Sequence, residues 1–154
     1  MANDEIFEKA LAFVLKWEGG YVNDPADKGG ATNKGITQNT YNSWLTKQKK
    51  PINNVKNIKS DEVKAIYYQN YWRASGCNLI QNNKLAVAMF NTAVNRGVTK
   101  AQQYRNETKG DLQAFLKRCE TGYRNIVAND LTQKKFLQGW LNRIEALTTY
   151  LLTV

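Results

Sequence analysis

The sequence predicts an all-α dominated domain of six or seven helices, with a small irregular or β-hairpin excursion at about 19–37. Three observations favour this class. Apolar residues recur at helical spacing along most of the chain, strand-like alternation is almost absent, and five of the ten glycines fall between positions 19 and 35. Because the 154 residues suffice for one core and no linker interrupts them, we expect a single domain over 1–154.

The first helix is predicted over residues 4–17. Its apolar positions recur at helical spacing and are Ile6, Ala10, Phe13, Val14 and Trp17. Gly19 and Gly20 follow the last of these positions, so we expect a left-handed glycine cap there. Glu18 then stands at the carboxyl end of the helix.

Turn-forming residues dominate the segment 19–37. Within it, the short pairs Tyr21-Val22 and Ile36-Thr37 are expected to form a small hairpin or an open loop. Thr37 is a suitable N-cap for a second helix that runs to about Leu45.

The rest of the chain predicts further helices at 60–72, 85–97, 99–106 and 111–127, and a last one whose apolar stripe runs from Phe136 to Leu151. The helix at 85–97 is apolar all round, so we expect it to be central and surrounded by the others. Gly122 lies inside the helix at 111–127 and is expected to weaken it.

The composition excludes several kinds of chemistry. The chain contains no histidine, so it has no Ser-His-Asp or Cys-His nucleophile system, and its acid or base is expected to be a carboxylate. No metal or other cofactor is expected. The net charge of +9 favours an anionic partner, either nucleic acid, an anionic membrane face or a cell-wall polymer. Cys77 and Cys119 form no Cys-x-x-Cys motif and are predicted to be small core residues.

No apolar run approaches the ~20 residues of a membrane span. The acidic start Met1–Glu5 also lacks the features of a secretory signal peptide. We therefore expect a soluble monomer without membrane insertion, made in the cytoplasm unless a leader has been removed. Any action on a cell wall would follow release or export.

Glu18 is the first candidate for catalysis. Glycoside cleavage needs a carboxyl group that keeps its proton near neutral pH, so that it can protonate the leaving oxygen. The carbonyl end of the helix and shielding by Trp17 and Tyr21 would both favour the protonated form of Glu18. Taken alone, however, Glu-Gly-Gly is more often an ordinary helix end.

Asp24 and Asp27 are candidates for a second carboxylate. They lie six and nine positions beyond Glu18, across a turn, so a folded loop would bring either within the ~5–9.5 Å that separates paired glycosidase carboxylates. Asp24 in Asn-Asp-Pro is also typical of an Asx turn. Thr32 would add a hydroxyl group to the same cleft. Whether Asp27, Asp24 or neither assists Glu18 stays open at this point.

Several motifs together resemble glycoside hydrolase family 108. The segments that carry the resemblance are Glu18–Asp27, Gly29–Thr37, Ile66-Tyr67, Tyr71-Trp72, Phe90–Gly97 and Phe136–Arg143. The resemblance implies a lysozyme-like fold and an N-acetylmuramidase, of the kind found as phage endolysins and in bacterial export systems. It also implies that Glu18 is catalytic. The family often reads Phe-Asp where this chain has Phe90-Asn91.

Binding of a glycan strand requires aromatic faces and amide donors along a cleft. The aromatic candidates are Tyr21, Trp44, Tyr71 and Trp72, although core packing explains each of them equally well. The amide candidates are Asn91 and Asn95, which lie one helical turn apart on a mostly apolar helix. Asp24 and Thr32 complete the predicted substrate-binding set.

The leading hypothesis is therefore a muramidase that cleaves the β-1,4 bond between N-acetylmuramic acid and N-acetylglucosamine in peptidoglycan glycan strands. A lytic transglycosylase on the same substrate needs only one carboxyl group and leaves anhydro ends. A non-catalytic wall-binding or export accessory protein would release no muropeptide. A nucleic-acid-binding module is suggested by the charge and by the lysines between 47 and 64, but the chain lacks a recognisable reading motif, so no nucleic acid is expected.

Overall fold

The computed structural model describes residues 2–26 and 29–154, and in these ranges seven α-helices accompany one two-stranded antiparallel sheet. The helices are α1 (Ala2–Trp17), α2 (Gln38–Lys47), α3 (Ser60–Tyr67), α4 (Asn83–Arg96), α5 (Val98–Glu107), α6 (Leu112–Asn129) and α7 (Lys134–Leu151). The strands are β1 (Thr32–Asn33) and β2 (Ile36–Thr37). The predicted fold class is confirmed.

Helix α4 is the centre of the fold, as its all-round apolar sequence predicted. Every residue from Leu85 to Ala93 is buried, and the helix contacts α1, α5, α6 and α7. Asn82 caps its amino end by accepting a hydrogen bond from the Leu85 N–H at 3.2 Å. Gly97 ends it with a φ of 97°, a conformation that glycine adopts without steric cost.

The predicted third helix is only partly correct, because α3 ends at Tyr67 and continues as a π-helical turn over Tyr68–Arg73. This turn packs on Phe7 of α1. The rings of Tyr68 and Trp72 lie 5.0 and 5.5 Å from the Phe7 ring, measured between centroids. Two large side chains of the π-helical turn thus contact one aromatic residue of the core. Turns of this kind are frequent at functional sites.

The β excursion forms a hairpin, but its pairing differs from the expected one. Ile36 and Thr37 pair with Asn33 and Thr32, whereas Val22 contributes only an isolated bridge to Thr32. The connecting residues Lys34 and Gly35 have φ values of 50° and 79°. Positive φ at both central residues is the requirement of a type I′ hairpin turn, which sets the register of the two strands.

The left-handed cap predicted at Gly19-Gly20 is wrong. Neither Gly19 nor Gly20 has a positive φ. Helix α1 instead ends at Trp17, and the Glu18 N–H still donates to the Val14 carbonyl at 3.1 Å. The chain then turns back through the bridge between Val22 and Thr32, so no left-handed residue is needed at the helix end.

Two smaller expectations are confirmed. Thr37 caps α2 by accepting a hydrogen bond from the Thr40 N–H at 3.1 Å. Cys77 and Cys119 are buried free thiols, and burial raises their pKa values to about 12 and about 11. Within residues 2–26 and 29–154, the search for a helix long and apolar enough to cross a membrane finds none.

At Gly122 we expect substitution by alanine to destabilise the protein, although alanine has a higher helix propensity than glycine. It is buried in α6, where a Cβ atom would overlap the Tyr104 hydroxyl and lie 3.1 Å from Nη1 of Arg96. We expect Gly122→Ala to lower the free energy of unfolding by about 1–3 kcal/mol. The matched control is Gly139→Ala in α7, where no atom lies within 4 Å of the added carbon and a gain of about 0.5–1 kcal/mol is expected.

Urea unfolding of both variants measures the difference. Tyr104→Phe removes the overlapping oxygen, so it should recover part of the loss caused by Gly122→Ala. Equal stabilisation by the two alanines would contradict the proposed contact between α5 and α6.

Candidate active site

Glu18 lies directly after α1, where the chain leaves the helix and enters the loop. Its backbone N–H is still held by the Val14 carbonyl, so the last turn of the helix fixes the position of the residue. Its side chain is 22% exposed, and the carboxylate points towards the hairpin turn, the end of α3 and α7. Glu18 is therefore a partly shielded carboxylate on a rigid element.

An arginine from the last helix binds this carboxylate. Nη1 of Arg143 donates to Oε1 of Glu18 at 3.2 Å, and Nε of the same guanidinium donates to Oδ1 of Asn91 at 2.9 Å. The Arg143 side chain is only 7% exposed, and Asn91 is fully buried in α4. Two acceptors thus fix the guanidinium, and the guanidinium fixes the carboxylate.

Two further donors remain at this cluster. Nη2 of Arg143 and Nδ2 of Asn91 are buried, and neither has a hydrogen-bond partner among the described residues. Buried N–H groups without an acceptor cost free energy. These two N–H groups are therefore the donors of the cluster that are left for an oxygen atom of water or of a ligand.

Gly35 brings the hairpin turn against Glu18. A Cβ atom at this position would lie 3.0 Å from Oε2 of Glu18 and would overlap the hydroxyl oxygen of Tyr67. The Tyr67 hydroxyl donates to the Lys34 carbonyl at 2.7 Å, which ties the same turn to α3. Only a residue without a side chain permits this close approach.

Tyr67 and Tyr71 form an aromatic wall beside the carboxylate. Their rings are 5.5 Å apart between centroids. Burial, and next to it the negative charge of Glu18, raises the pKa of both phenols above the ordinary value. Both hydroxyl groups therefore keep their protons at neutral pH, and of the predicted aromatic binding residues Tyr71 is the one that lies within the electrostatic reach of Glu18.

The predicted site residues of the loop are Tyr21, Asp24 and Asp27. Asp24 is exposed, and its Oδ1 accepts from the Ala26 N–H at 2.9 Å, which is the Asx turn considered from the sequence. Tyr21 is exposed and lies under Lys56, whose Nζ is 5.7 Å from the ring centroid. Asp27 lies outside the described residues.

Thr32, Trp44, Trp72 and Asn95 contact other parts of the molecule. Thr32 forms both backbone bonds of the bridge to Val22, each at 2.8 Å. Trp44 lines a cavity between α1, α2 and α3, and Trp72 is a core residue. Asn95 accepts a hydrogen bond from the Tyr123 hydroxyl of α6, so only Asn91 of the two predicted amides joins the Glu18 cluster.

Sequence reasoning assigned no role to Arg143, Tyr67 or Gly35. For Arg143 a signal was present, because it lies three positions after Trp140 and four before Leu147, on the buried side of α7. A charged side chain at such a position needs a partner of opposite charge or several acceptors. Nothing in the sequence spacing identifies Glu18 as that partner.

Comparisons with known proteins identify the family and the fold of the chain. The sequence profile of a family described as Glycosyl hydrolase 108 matches residues 11–97. A solved structure described as "Structure of Brucella abortus SagA" has a TM-score of 0.75 and 23% sequence identity, covering 97% of this chain and 95% of that chain. At this identity the likeness shows the fold, which is lysozyme-like. A comparison with curated protein sequences gives no match.

Gly35 and Gly30 provide a matched test of the close approach. Both have positive φ, 79° and 73°, so alanine suffers the same backbone strain at either site, about 1–2 kcal/mol. A Cβ atom at Gly30 meets nothing within 4 Å. We expect Gly35→Ala to lower the free energy of unfolding by at least about 1 kcal/mol more than Gly30→Ala, because it also displaces Tyr67 and Glu18. Equal losses in chemical denaturation would show that the contact is not tight.

Proposed function

Because the chain belongs to the glycosyl hydrolase 108 family, we propose that it cleaves the β-1,4 bond between N-acetylmuramic acid and N-acetylglucosamine in peptidoglycan, with Glu18 as general acid. The observation that supports this role most directly is the position of Glu18, which the last turn of α1 holds and which leaves its side chain 22% exposed beside the hairpin turn. A carboxyl group that transfers a proton must be held in one orientation, and the contact with Arg143 supplies that orientation.

In the proposed reaction, protonated Glu18 donates its proton to the glycosidic oxygen while the bond from this oxygen to C1 of N-acetylmuramic acid breaks. The N-acetylglucosamine side leaves as an alcohol, and water adds to C1 and loses one proton to the solvent. Glu18 becomes a carboxylate in this step. The guanidinium of Arg143, 3.2 Å from Oε1, stabilises the negative charge that forms.

The neighbouring groups have positioning roles. Asn91 holds the guanidinium through Nε, whereas Glu18 accepts from Nη1, and the Gly35 turn limits the space around the other carboxylate oxygen. Tyr67 and Tyr71 present protonated hydroxyl groups at the same place. These residues come from α4, the hairpin and the end of α3, so the site depends on the packing of the whole domain.

The substrate and its location follow from the same proposal. Peptidoglycan carries acidic groups, and a chain with a net charge of +9 is attracted to such a polymer. The protein would act on the bacterial cell wall after release or export. No cofactor takes part in the proposed reaction, because proton transfer by a carboxyl group and attack by water suffice.

A lytic transglycosylase is the second candidate, and one observation favours it. Asp24 is exposed and engaged in its own turn, so among the described residues Glu18 is the one carboxylate at the cluster. In this reaction the C6 hydroxyl of N-acetylmuramic acid, rather than water, adds to C1 and forms a 1,6-anhydro end. Asp27 remains the candidate for a second carboxylate in the hydrolytic reaction.

Glu18→Gln tests the role of the acid. The amide keeps the shape of the side chain but cannot donate the proton, so release of soluble fragments from purified peptidoglycan should fall by at least about 10²-fold. The matched control is Glu5→Gln, which changes an exposed carboxylate of α1 and should leave the rate unchanged.

Mass spectrometry of the fragments then identifies the reaction. Reducing N-acetylmuramic acid ends indicate hydrolysis, and 1,6-anhydro ends indicate the transglycosylase. Equal release by the Glu18→Gln variant and the wild type would remove Glu18 from the mechanism.

Arg143 gives a separate prediction about positioning. We expect Arg143→Gln to lower kcat/KM by about 10²-fold, because Glu18 loses its fixed orientation, and Arg143→Lys to recover part of the activity. Arg124→Gln, an exposed arginine of α6, is the control. A loss of folding stability with an unchanged kcat/KM of the folded protein, and no recovery by Arg143→Lys, would indicate a purely structural role.

A further inference from the structure

The cavity lined by Trp44 has a volume of about 720 Å³ and lies between α1, α2, α3 and the π-helical turn. We refer to it as the α2–α3 pocket. Its aromatic lining residues are Phe7, Trp44 and Tyr68, and its amide lining residues are Gln48, Gln69 and Asn70. None of these residues is a partner of Glu18, so the pocket is distinct from the candidate active site.

Contacts with neighbouring side chains fix the aromatic residues of the pocket. Phe7 is buried and contacts Tyr68 edge to face, with 5.0 Å between ring centroids and 84° between ring planes. Tyr68 and Trp44 are only half-buried and contribute ring surface to the cavity. Lys50 lies over Trp44, with its Nζ 5.3 Å from the ring centroid. The pocket thus offers fixed, partly exposed aromatic surfaces.

The side-chain amides of the pocket take no part in the protein's own hydrogen bonds within the part of the chain that the structure describes. The side-chain amides of Gln48, Gln69 and Asn70 form no hydrogen bond with any described residue, and all three residues are exposed. Each amide can both donate and accept. The pocket therefore combines aromatic surface with free hydrogen-bonding groups around one volume.

The pocket has a small excess of positive charge. Lys47 and Lys64 line it together with Asp61, Lys64 is in turn paired with Glu8 of α1, and Lys50 lies over one of its aromatic rings. Three positive groups thus stand against two negative ones. A polyanion such as nucleic acid would find little net attraction here, whereas a neutral polar ligand meets partners for its hydroxyl and acetamido groups.

We propose that the α2–α3 pocket is a second saccharide-binding site, which holds a neighbouring N-acetylated stretch of the glycan away from Glu18. Sugars present apolar C–H faces to aromatic rings and hydroxyl groups to amides, which are the two surfaces this pocket provides. Its volume lies in the range of small-ligand sites, ~300–1,000 Å³. The proposal rests on the proposed function for the choice of a glycan as ligand.

The two sites share one structural element. Tyr67 and Tyr71 face Glu18 from the end of α3 and the π-helical turn, whereas Tyr68 and Asn70 of the same turn line the pocket. A polymer bound in the pocket is therefore tethered close to the proposed acid. Because peptidoglycan repeats the same disaccharide many times, a second attachment raises the effective concentration of bonds at the first site.

The test measures binding in the Glu18→Gln variant, so that turnover does not interfere. With N,N′,N″-triacetylchitotriose as probe, we expect saturable shifts of the Trp44 indole and of the Gln69 and Asn70 side-chain amides in ¹H–¹⁵N spectra. With insoluble purified peptidoglycan, we expect Trp44→Ala and Asn70→Ala, each added to Glu18→Gln, to weaken retention about fivefold. Phe136→Ala, which removes an exposed ring on α7, is the control and should not change retention.

Asn70 is exposed, so its substitution keeps the test valid if Trp44→Ala fails to fold. Pocket resonances that stay fixed while others shift, or unchanged retention of the Asn70 variant, would overturn the proposal. Failure of the proposed function gives a different result, because the wild type would then release no fragments even though the trisaccharide still shifts the pocket resonances.

Discussion

The buried guanidinium of Arg143 is the constraint on which the candidate site depends. It joins the end of α1, through Glu18, to the centre of α4, through Asn91. A buried positive charge with only one acceptor would destabilise the fold, and removing either acceptor would leave it poorly solvated. Helix α7 must therefore pack where both acceptors can be reached, and this requirement fixes the last helix of the chain relative to the first.

The helices were predictable from the sequence because each depends on local pattern and local caps. Thr37 and the apolar run from Leu85 identify their helices without knowledge of any neighbour. The location of Glu18 directly after a helix was predictable for the same reason, since it depends on local sequence alone. The contact of Arg143 with Glu18 could not be predicted. The two residues lie 125 positions apart, and only the packing of α7 across α1 and α4 brings them together.

A hairpin at residues 19–37 was predicted, but the strand that pairs with Ile36-Thr37 was not predicted correctly. Residues 36–37 are a strand, but their partner is decided by the turn at Lys34-Gly35, where Lys34 adopts a positive φ of 50° that non-glycine residues rarely take. The Tyr67 hydroxyl holds this turn through the Lys34 carbonyl. A tertiary contact from α3 thus stabilises a strained residue, and the register that follows moves Val22 to an isolated bridge.

The neutral side chain at position 91 sets the electrostatics of the cluster. The family that this chain resembles often has Asp at this position, and an Asp would place two carboxylates on one guanidinium. With Asn91 the hydrogen bond from Nε is kept, at 2.9 Å, while the full positive charge of Arg143 faces Glu18 alone. Each carboxylate that shares a cation reduces the stabilisation available to the other. Asn91 therefore makes Arg143 a stronger stabiliser of the charge that Glu18 would acquire when it gives up its proton.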